Sequence, residues 1–209
     1  MRYRAPRYLS ARFLEGHLMV HVLTAAPAAE PISLAEAKAH LRIDTDDEDT
    51  LISSLIVAAR MLVERSLGLA LITQSWSHFL DAVPQRGCVA LPLGPVQAVS
   101  AVNLHGGEGG MSTVDAGSYD IDVLSDPARV VLTALVPSAG LRPFNGFEVS
   151  FVAGFGDAAA DVPQPIRQAL LLLVAHWFER REPVELGPGP QGVPAIAAGL
   201  LQPYRRVRL

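Results

Sequence analysis

The hydrophobic period of this chain changes twice, and that restricts the fold more than any other feature. Between residues 33 and 68 apolar residues recur every three or four positions, the spacing of an amphipathic α-helix. From Thr73 to Val152 short alternating runs are separated by Gly- and Pro-rich turns, which is typical of β-strands. Helical spacing returns after Pro163. The order predicts an α+β fold: a helical bundle of three long helices and a short C-terminal helix, with an inserted small, mostly antiparallel β unit.

The change of period divides the chain into five segments. Half of the 209 residues are hydrophobic and 18% are charged, which favours a packed core over disorder. Met19 is a second possible start, so residues 1–18 need not belong to the native protein. The segments are an N-terminal extension and linker (1–30), the first part of the helical core (31–70), the β-rich insertion (71–153), a turn and the central helix (154–182), and a linker, short helix and basic tail (183–209).

Capping patterns predict where the helices begin. In a capping box, a hydroxyl and a carboxylate three residues apart each satisfy a free backbone N–H. The second helix carries two apolar stripes, which predicts that it is covered on two sides, with Arg60 exposed and Gly68 ending the helix. Pairs with capping spacing occur at Ser33 and Glu36, at Thr45 and Glu48, and at Asp161 and Gln164.

The net charge of −4 is unevenly distributed along the chain. Residues 19–162 hold 17 of the 21 acidic groups but only 7 of the 17 basic ones, so both ends are basic. An acidic middle argues against a broad nucleic-acid-binding face, because such a face needs clustered Lys and Arg. The basic ends remain candidates for contacts with an acidic partner.

The cysteine count and the lengths of the apolar runs indicate the kind of cellular compartment in which the protein folds. Cys88 is the only cysteine, so an internal disulfide and a cysteine metal cluster are excluded, which fits a reducing compartment. The longest apolar run, Ala169 to Ala175, is far shorter than a membrane span, so no membrane is predicted. Polar residues interrupt the N-terminal apolar stretch, which disfavours a cleaved secretion signal.

Two groups of residues carry side chains of the types that bind metal ions. The run Asp44, Asp46, Asp47, Glu48 and Asp49 fails the calcium-loop pattern, because its sixth residue is not glycine and its twelfth is leucine. The run is instead typical of a solvated helix start. His176 and Glu179 lie three apart on one helix, but carboxylate-bridged metal sites use the reverse order and several copies. No metal is predicted.

Gly154 and Gly156 stand between a strand and a helix, where phosphate-binding loops occur. A dinucleotide site needs a third glycine and a helix that begins at once, whereas here about seven residues intervene. Asp157 and Asp161 would also repel an anion. The glycines are therefore predicted to turn the chain back into the helical core, and no cofactor is predicted.

The C-terminus combines an aromatic residue with three guanidinium groups in its last six residues. Chain ends are often solvated and mobile, and that interpretation stays open. The alternative is a docking arm, because tyrosine and arginine are the residue types that anchor protein interfaces. The residues are Tyr204, Arg205, Arg206 and Arg208.

Together these motifs resemble a known family. "PISLAEAKAHLRID", the acidic helix start, "FVAGFGDAAADVPQPIRQALLLLVAHWFERRE" and the terminal "PYRR" are similar to the head–tail connector (adaptor) proteins of long-tailed phages and phage-like gene transfer agents. The resemblance covers about residues 30 to 182 and the tail. It implies a helical core with a β-rich insertion and a structural role without enzymatic activity.

The resemblance also implies location and partners. Such proteins form a ring, usually dodecameric, beneath the portal at the capsid vertex of a virion or phage-like particle, and are made in the bacterial cytoplasm. The ring extends the channel through which DNA passes without sequence-specific binding, and it contacts the next connector, a stopper or tail-completion protein.

Two hypotheses about residues follow from the resemblance. The acidic residues 44–49 face the DNA channel, where like charge keeps DNA from sticking, or they form an ordinary solvated surface. The segment Leu200 to Leu209 docks on a neighbouring ring component, the portal being the first candidate. The docking residues are Leu200, Leu201, Tyr204, Arg205, Arg206 and Arg208.

Two rival functions remain open at this level. One is another virion connector, such as the stopper or tail-completion layer. The other is a small enzyme that uses the Gly154–Gly156 turn or His176 with Glu179, which nucleotide- or metal-dependent thermal stabilisation would reveal. The sequence does not distinguish a phage from a gene transfer agent, and it does not indicate which surface faces the portal or whether the ring forms alone.

Overall fold

A computed structural model describes residues 20–84, 87–180 and 194–205 of the chain. It contains four α-helices and eight β-strands within these ranges, so the α+β class is confirmed. The helices are α1 (Leu34–Leu41), α2 (Asp49–Leu67), α3 (Gln164–Glu179) and α4 (Ala195–Leu201).

Only α2 and α3 are long helices, with 19 and 16 residues, so the predicted bundle of three long helices is not confirmed. The first helix has eight residues because it ends at Leu41, where Arg42 adopts the left-handed conformation. Its predicted start is confirmed: Ser33 and Glu36 form a reciprocal capping box.

The other two predicted capping pairs are wrong. α2 begins at Asp49 after Glu48, and no side-chain hydrogen bond caps it, so Thr45 does not act as a cap. α3 begins after Pro163, also without a side-chain cap, while Asp161 ends a short 3₁₀ turn. Asp161 instead accepts a hydrogen bond from the Ala158 N–H at 2.9 Å. The predicted end of α2 is confirmed, because Gly68 takes the left-handed conformation there.

The strands form two antiparallel sheets, as expected for the inserted unit. The five-stranded sheet has the order β1-β2-β8-β4-β5 and the three-stranded sheet the order β3-β7-β6. The bounds are β1 (Val20–Ala25), β2 (Gln74–Leu80), β3 (Cys88–Ala90), β4 (Val96–His105), β5 (Met111–Thr113), β6 (Tyr119–Asp122), β7 (Arg129–Leu132) and β8 (Phe147–Ala153).

The strand β1 was not predicted from the sequence. Its residues pair antiparallel with β2, with Val20 opposite Phe79 and Leu23 opposite Trp76. This pairing joins residues 50 or more positions apart. The six residues of β1 are all exposed, so no buried alternation marks the strand in the sequence. Residues 20–25 therefore form one edge of the larger sheet.

The buried hydrophobic residues form two separate clusters. One is helical, and α3 is at its centre, since it contacts α1, α2 and α4. The other fills the space against the inner face of β8, where alternate residues are buried. The fully buried residues of that face are Phe147, Val149, Phe151 and Ala153.

Candidate functional site

The C-terminal candidates divide between the chain's own core and its surface. Leu201 is 4% exposed and belongs to the helical core, and half-buried Leu200 and Tyr204 pack against the same core. Arg205 is exposed. α4 packs on α3. Leu201 therefore anchors α4, and a partner could reach Arg205 and the outer side of Tyr204. Arg206 and Arg208 lie outside the described residues.

The acidic run forms the turn between α1 and α2, and a lysine organises part of it. The Nζ atom of Lys38 lies 2.6 Å from Asp46 Oδ1 and 2.7 Å from Asp49 Oδ1. The hydrogen bond from Lys38 lowers the pKa of Asp46, and the two carboxylates raise the pKa of Lys38. Asp44 and Asp47 are exposed. The five carboxylates therefore do not form one uniform patch.

The Gly154–Gly156 turn packs against the chain segments that precede β2 and β4. The Gly154 N–H donates to the Pro95 carbonyl at 2.9 Å, and the Phe155 N–H donates to the Leu71 carbonyl at 3.2 Å. The Gly156 carbonyl accepts from the Thr73 N–H at 3.0 Å. Two N–H groups that a phosphate loop would point at an anion are thus already bonded inside the fold.

The shape of the turn explains both glycines. Gly154 has a φ of +146°, and a Cβ there would lie 2.6 Å from the Ile72 carbonyl carbon. A Cβ at Gly156 would overlap the carboxylate of Asp161, whose Oδ2 accepts from the Ala158 N–H at 2.9 Å. Both positions bring backbone close to neighbouring atoms, as the turn prediction requires.

The pair His176 and Glu179 lies in the last turns of α3. His176 is half-buried and Glu179 is exposed. In the described parts of the chain, no three His, Cys, Asp or Glu side chains come together in a way that would hold a metal ion. Within the same residues, no helix combines the length and apolarity needed to cross a bilayer.

A buried ion-pair cluster that the sequence analysis missed joins the helical core to the larger sheet. Arg60, predicted to be exposed, is only 9% exposed and pairs with Glu30 at 2.8 Å and Glu64 at 2.9 Å. Glu64 also accepts from the Leu71 N–H at 2.9 Å and from Gln74 Nε2 at 2.6 Å. Burial acts to lower the pKa of Arg60, but the two carboxylates outweigh it and raise the pKa.

A second missed cluster surrounds Glu148 on the outer face of the larger sheet. The Glu148 carboxylate accepts from Ser77 Oγ at 2.5 Å and contacts His105 Nε2 at 2.7 Å, and Asn103 and Ser150 also donate to it. Burial acts to raise the pKa of Glu148, but these donors lower it overall. Only the period-two spacing within each strand could have suggested this cluster, because its members come from three strands.

The outward side of α2 differs from its prediction. One apolar stripe is buried in the helical core. In the other, which was predicted to be covered too, half-buried Leu55 packs against that core, whereas Ala58 and Leu62 are exposed. Met61 is 59% exposed, and Val57, Ala58 and Leu62 around it are also exposed. Since exposed apolar residues grouped on one helix face are typical of interaction surfaces, this face is a candidate site.

Part of the chain matches a known protein family. Residues 31–106 match the family model described as phage gp6-like head–tail connector protein. No curated protein matches the chain. The family match covers α1, α2, β2, β3 and β4 with the turns between them.

Solved structures match nearly the whole chain. A chain in "Neck of empty GTA particle computed with C6 symmetry" is 26% identical, with a TM-score of 0.73, over 91% of this chain and 97% of that one. Chains in "Virion of native gene transfer agent (GTA) particle" and "Neck of native GTA particle computed with C12 symmetry" are each 27% identical. Their TM-scores are 0.69 and 0.63, over 90% of this chain and 96% and 97% of theirs. The resemblance to head–tail connectors is confirmed.

Proposed function

Taking residues 31–106 as a gp6-like head–tail connector domain, we propose that this chain is a structural connector in the neck of a virion or gene transfer agent particle. The observation that carries the proposal is the match to a neck chain over 91% of this chain and 97% of that one. Because the match covers 91% of this chain, it includes parts of both the helical core and the β unit and is not limited to one common motif. A structural role, acting through shape and interfaces, follows from it.

The chain works as one subunit of a homo-oligomeric ring. The similar chains occur in necks computed with C6 and with C12 symmetry. A closed ring of twelve identical subunits has C12 symmetry and contains C6 as a subgroup, whereas a ring of six does not have C12 symmetry. Twelve is therefore the smallest number of copies compatible with both, and we assign a dodecamer.

The ring lies between the portal and the next connector, and DNA passes through its centre. Asp44 and Asp47, which are exposed, are the residues of the acidic turn that fit a channel wall repelling DNA. Asp46 and Asp49 already pair with Lys38 and contribute less net charge. The C-terminal residues from Tyr204 onward are the arm that docks on the portal or on a neighbouring ring component.

The test is to locate the chain in particles. We expect a tagged copy to co-purify with particles, and electron microscopy with an antibody to the tag to place it between head and tail. Loss of the gene should leave DNA-filled heads that lack tails. A chain that never accompanies particles, or labelling along the tail tube, would contradict the connector role. Labelling at the lower end of the neck would instead favour a stopper.

A further inference from the structure

The outward side of α2 presents four apolar residues to solvent, which we name the α2 outer face: Val57, Ala58, Met61 and Leu62. They lie at positions i, i+1, i+4 and i+5, so they form two adjacent rows on one side of the helix. At 3.6 residues per turn this side is opposite the buried residues Ile52, Ile56 and Val63. α2 is therefore apolar on two opposite sides. One side is buried in its own chain, and the described residues leave the other side exposed.

The α2 outer face continues into a groove between α2 and the edge strand β1. Met61 belongs to both, and the groove encloses about 570 Å³. Its apolar lining includes Leu23, Pro27, Trp76 and Leu93. β1 is an edge strand, and its Leu23, which lies on the groove side of the sheet, is 41% exposed. Exposed apolar surface thus extends from the helix across the groove to the sheet edge.

Two of the charged residues beside this surface are already paired. Arg60 and Glu64 line the groove, but they pair with each other and Arg60 also pairs with Glu30. Among the described lining residues Arg65 is the remaining cation, so the surface lacks the clustered guanidinium groups that DNA binding needs. A surface of this composition fits a permanent protein–protein contact, because permanent interfaces are more apolar than transient ones.

We propose that the α2 outer face and its groove form the contact between neighbouring copies of this chain in the ring. The inference rests on the proposed function. In a ring each subunit meets two neighbours through two different surfaces, so every copy must carry lateral surfaces that its own chain leaves free, and the α2 outer face is such a surface. The contact with another copy is repeated at every subunit, whereas a portal or stopper touches only the ends of the ring. The long side of α2, about 28 Å, suits the repeated lateral contact.

The first test uses a photo-crosslinking residue, benzoylphenylalanine, at position 61 in particles. We expect an adduct of two copies at twice the chain mass of 22.3 kDa. The matched control places the same residue at Ser138, an exposed loop position between β7 and β8, where we expect at least tenfold less of this adduct. An adduct with a different neck protein alone, or no adduct, would overturn the assignment of this face to a second copy.

The second test uses Met61→Glu and Val57→Glu, which place charge on the α2 outer face without changing the core. The purified variants should unfold within a few degrees of the unmodified chain, because both side chains are exposed. Their recovery in particles should fall at least tenfold, while Met61→Leu and Ser138→Glu should assemble normally. Normal assembly of both glutamate variants would reject the inference but leave the connector role intact. Absence of the unmodified chain from particles would instead reject the connector role.

Discussion

Gly154 and Gly156 fix the point where the β unit returns to the helical core. The sequence predicted a turn at these glycines, but it did not show why glycine is required at each position. The turn closes on the backbone at Ile72 and on the Asp161 side chain, and these contacts join segments about 80 and 5 residues away along the chain. A glycine that permits close approach cannot be told from one that binds an anion until the approaching group is located.

We expect Gly154→Ala to lower the free energy of unfolding by at least about 2 kcal/mol, because both the positive φ and the close Ile72 backbone oppose a Cβ. Urea unfolding followed by circular dichroism measures this change. Gly199→Ala is the matched control: it lies within α4 with open space around it, so it should be neutral or stabilise by up to about 1 kcal/mol. Equal effects of the two substitutions would contradict the close-approach explanation.

His78 gives the fold a dependence on pH. Its side chain is 1% exposed, and burial lowers its pKa to about 4, with His21 on the facing strand adding to the effect. The unfolded chain protonates this histidine near pH 6.5, whereas the folded chain does not until about pH 4. The unfolded state therefore binds more protons between these values, and stability falls as the pH falls through this window.

We expect the free energy of unfolding to decrease by an amount on the order of 3 kcal/mol between pH 7 and pH 4 through His78. His78→Leu should reduce this slope between pH 6.5 and 4.5, whatever its effect on stability at pH 7. Urea unfolding at several pH values measures the slope, with His40→Leu as a control at an exposed histidine. A slope that persists unchanged in His78→Leu would assign the dependence to other groups.

At the scale of elements, the ends and faces of the helices differ in how far the sequence determines them. The Ser33–Glu36 box and the Gly68 cap were predicted correctly, because the partners lie within one helical turn. The start of α2 was predicted incorrectly, because Lys38 on the previous helix draws in Asp46 and Asp49. β1 was missed because its partner strand lies far along the chain.

The joint between helices and sheet depends on Glu64, which serves three donors at once. In Glu64→Ala the Leu71 N–H and Gln74 lose their acceptor, and buried Arg60 keeps only Glu30. We expect a loss of about 2–4 kcal/mol in the free energy of unfolding, measured in urea. Glu64→Gln should lose less, because its amide oxygen still accepts a hydrogen bond. Exposed Glu179→Ala should change stability by less than about 0.5 kcal/mol, and a similar loss there would contradict the prediction.

For the whole molecule, the structure determines how the C-terminal arm is best tested. Deleting all of residues 200–209 would remove Leu201 from the helical core. A loss of assembly could then result from unfolding instead of from lost docking. Deleting residues 205–209 keeps α4 and Tyr204. We expect this shorter protein to unfold like the full chain but to fall at least tenfold in its recovery from assembled heads. Unchanged assembly would show that the arm does not dock.

The channel role of the acidic turn predicts an effect that depends on which carboxylates are neutralised. Asp44→Asn with Asp47→Asn removes exposed charge, so we expect slower DNA ejection and more DNA retained in emptied particles. Asp46→Asn with Asp49→Asn breaks the Lys38 pairs and should mainly affect the α1–α2 turn. DNA release measured by nuclease sensitivity compares the two variants. Normal release after all five carboxylates are neutralised would reject the channel role.

The sequence by itself determined the α+β class, the placement of a strand-rich region between helical regions, and the connector resemblance. These depend on hydrophobic period, turn residues and motifs, which act over a few neighbouring positions. Only the tertiary structure decided that Arg60 is buried, that β1 completes a sheet, and that the α2 outer face is exposed. Burial and strand pairing depend on which distant segment of the chain packs against each face. An apolar face has the same sequence pattern whether its own chain or another copy covers it.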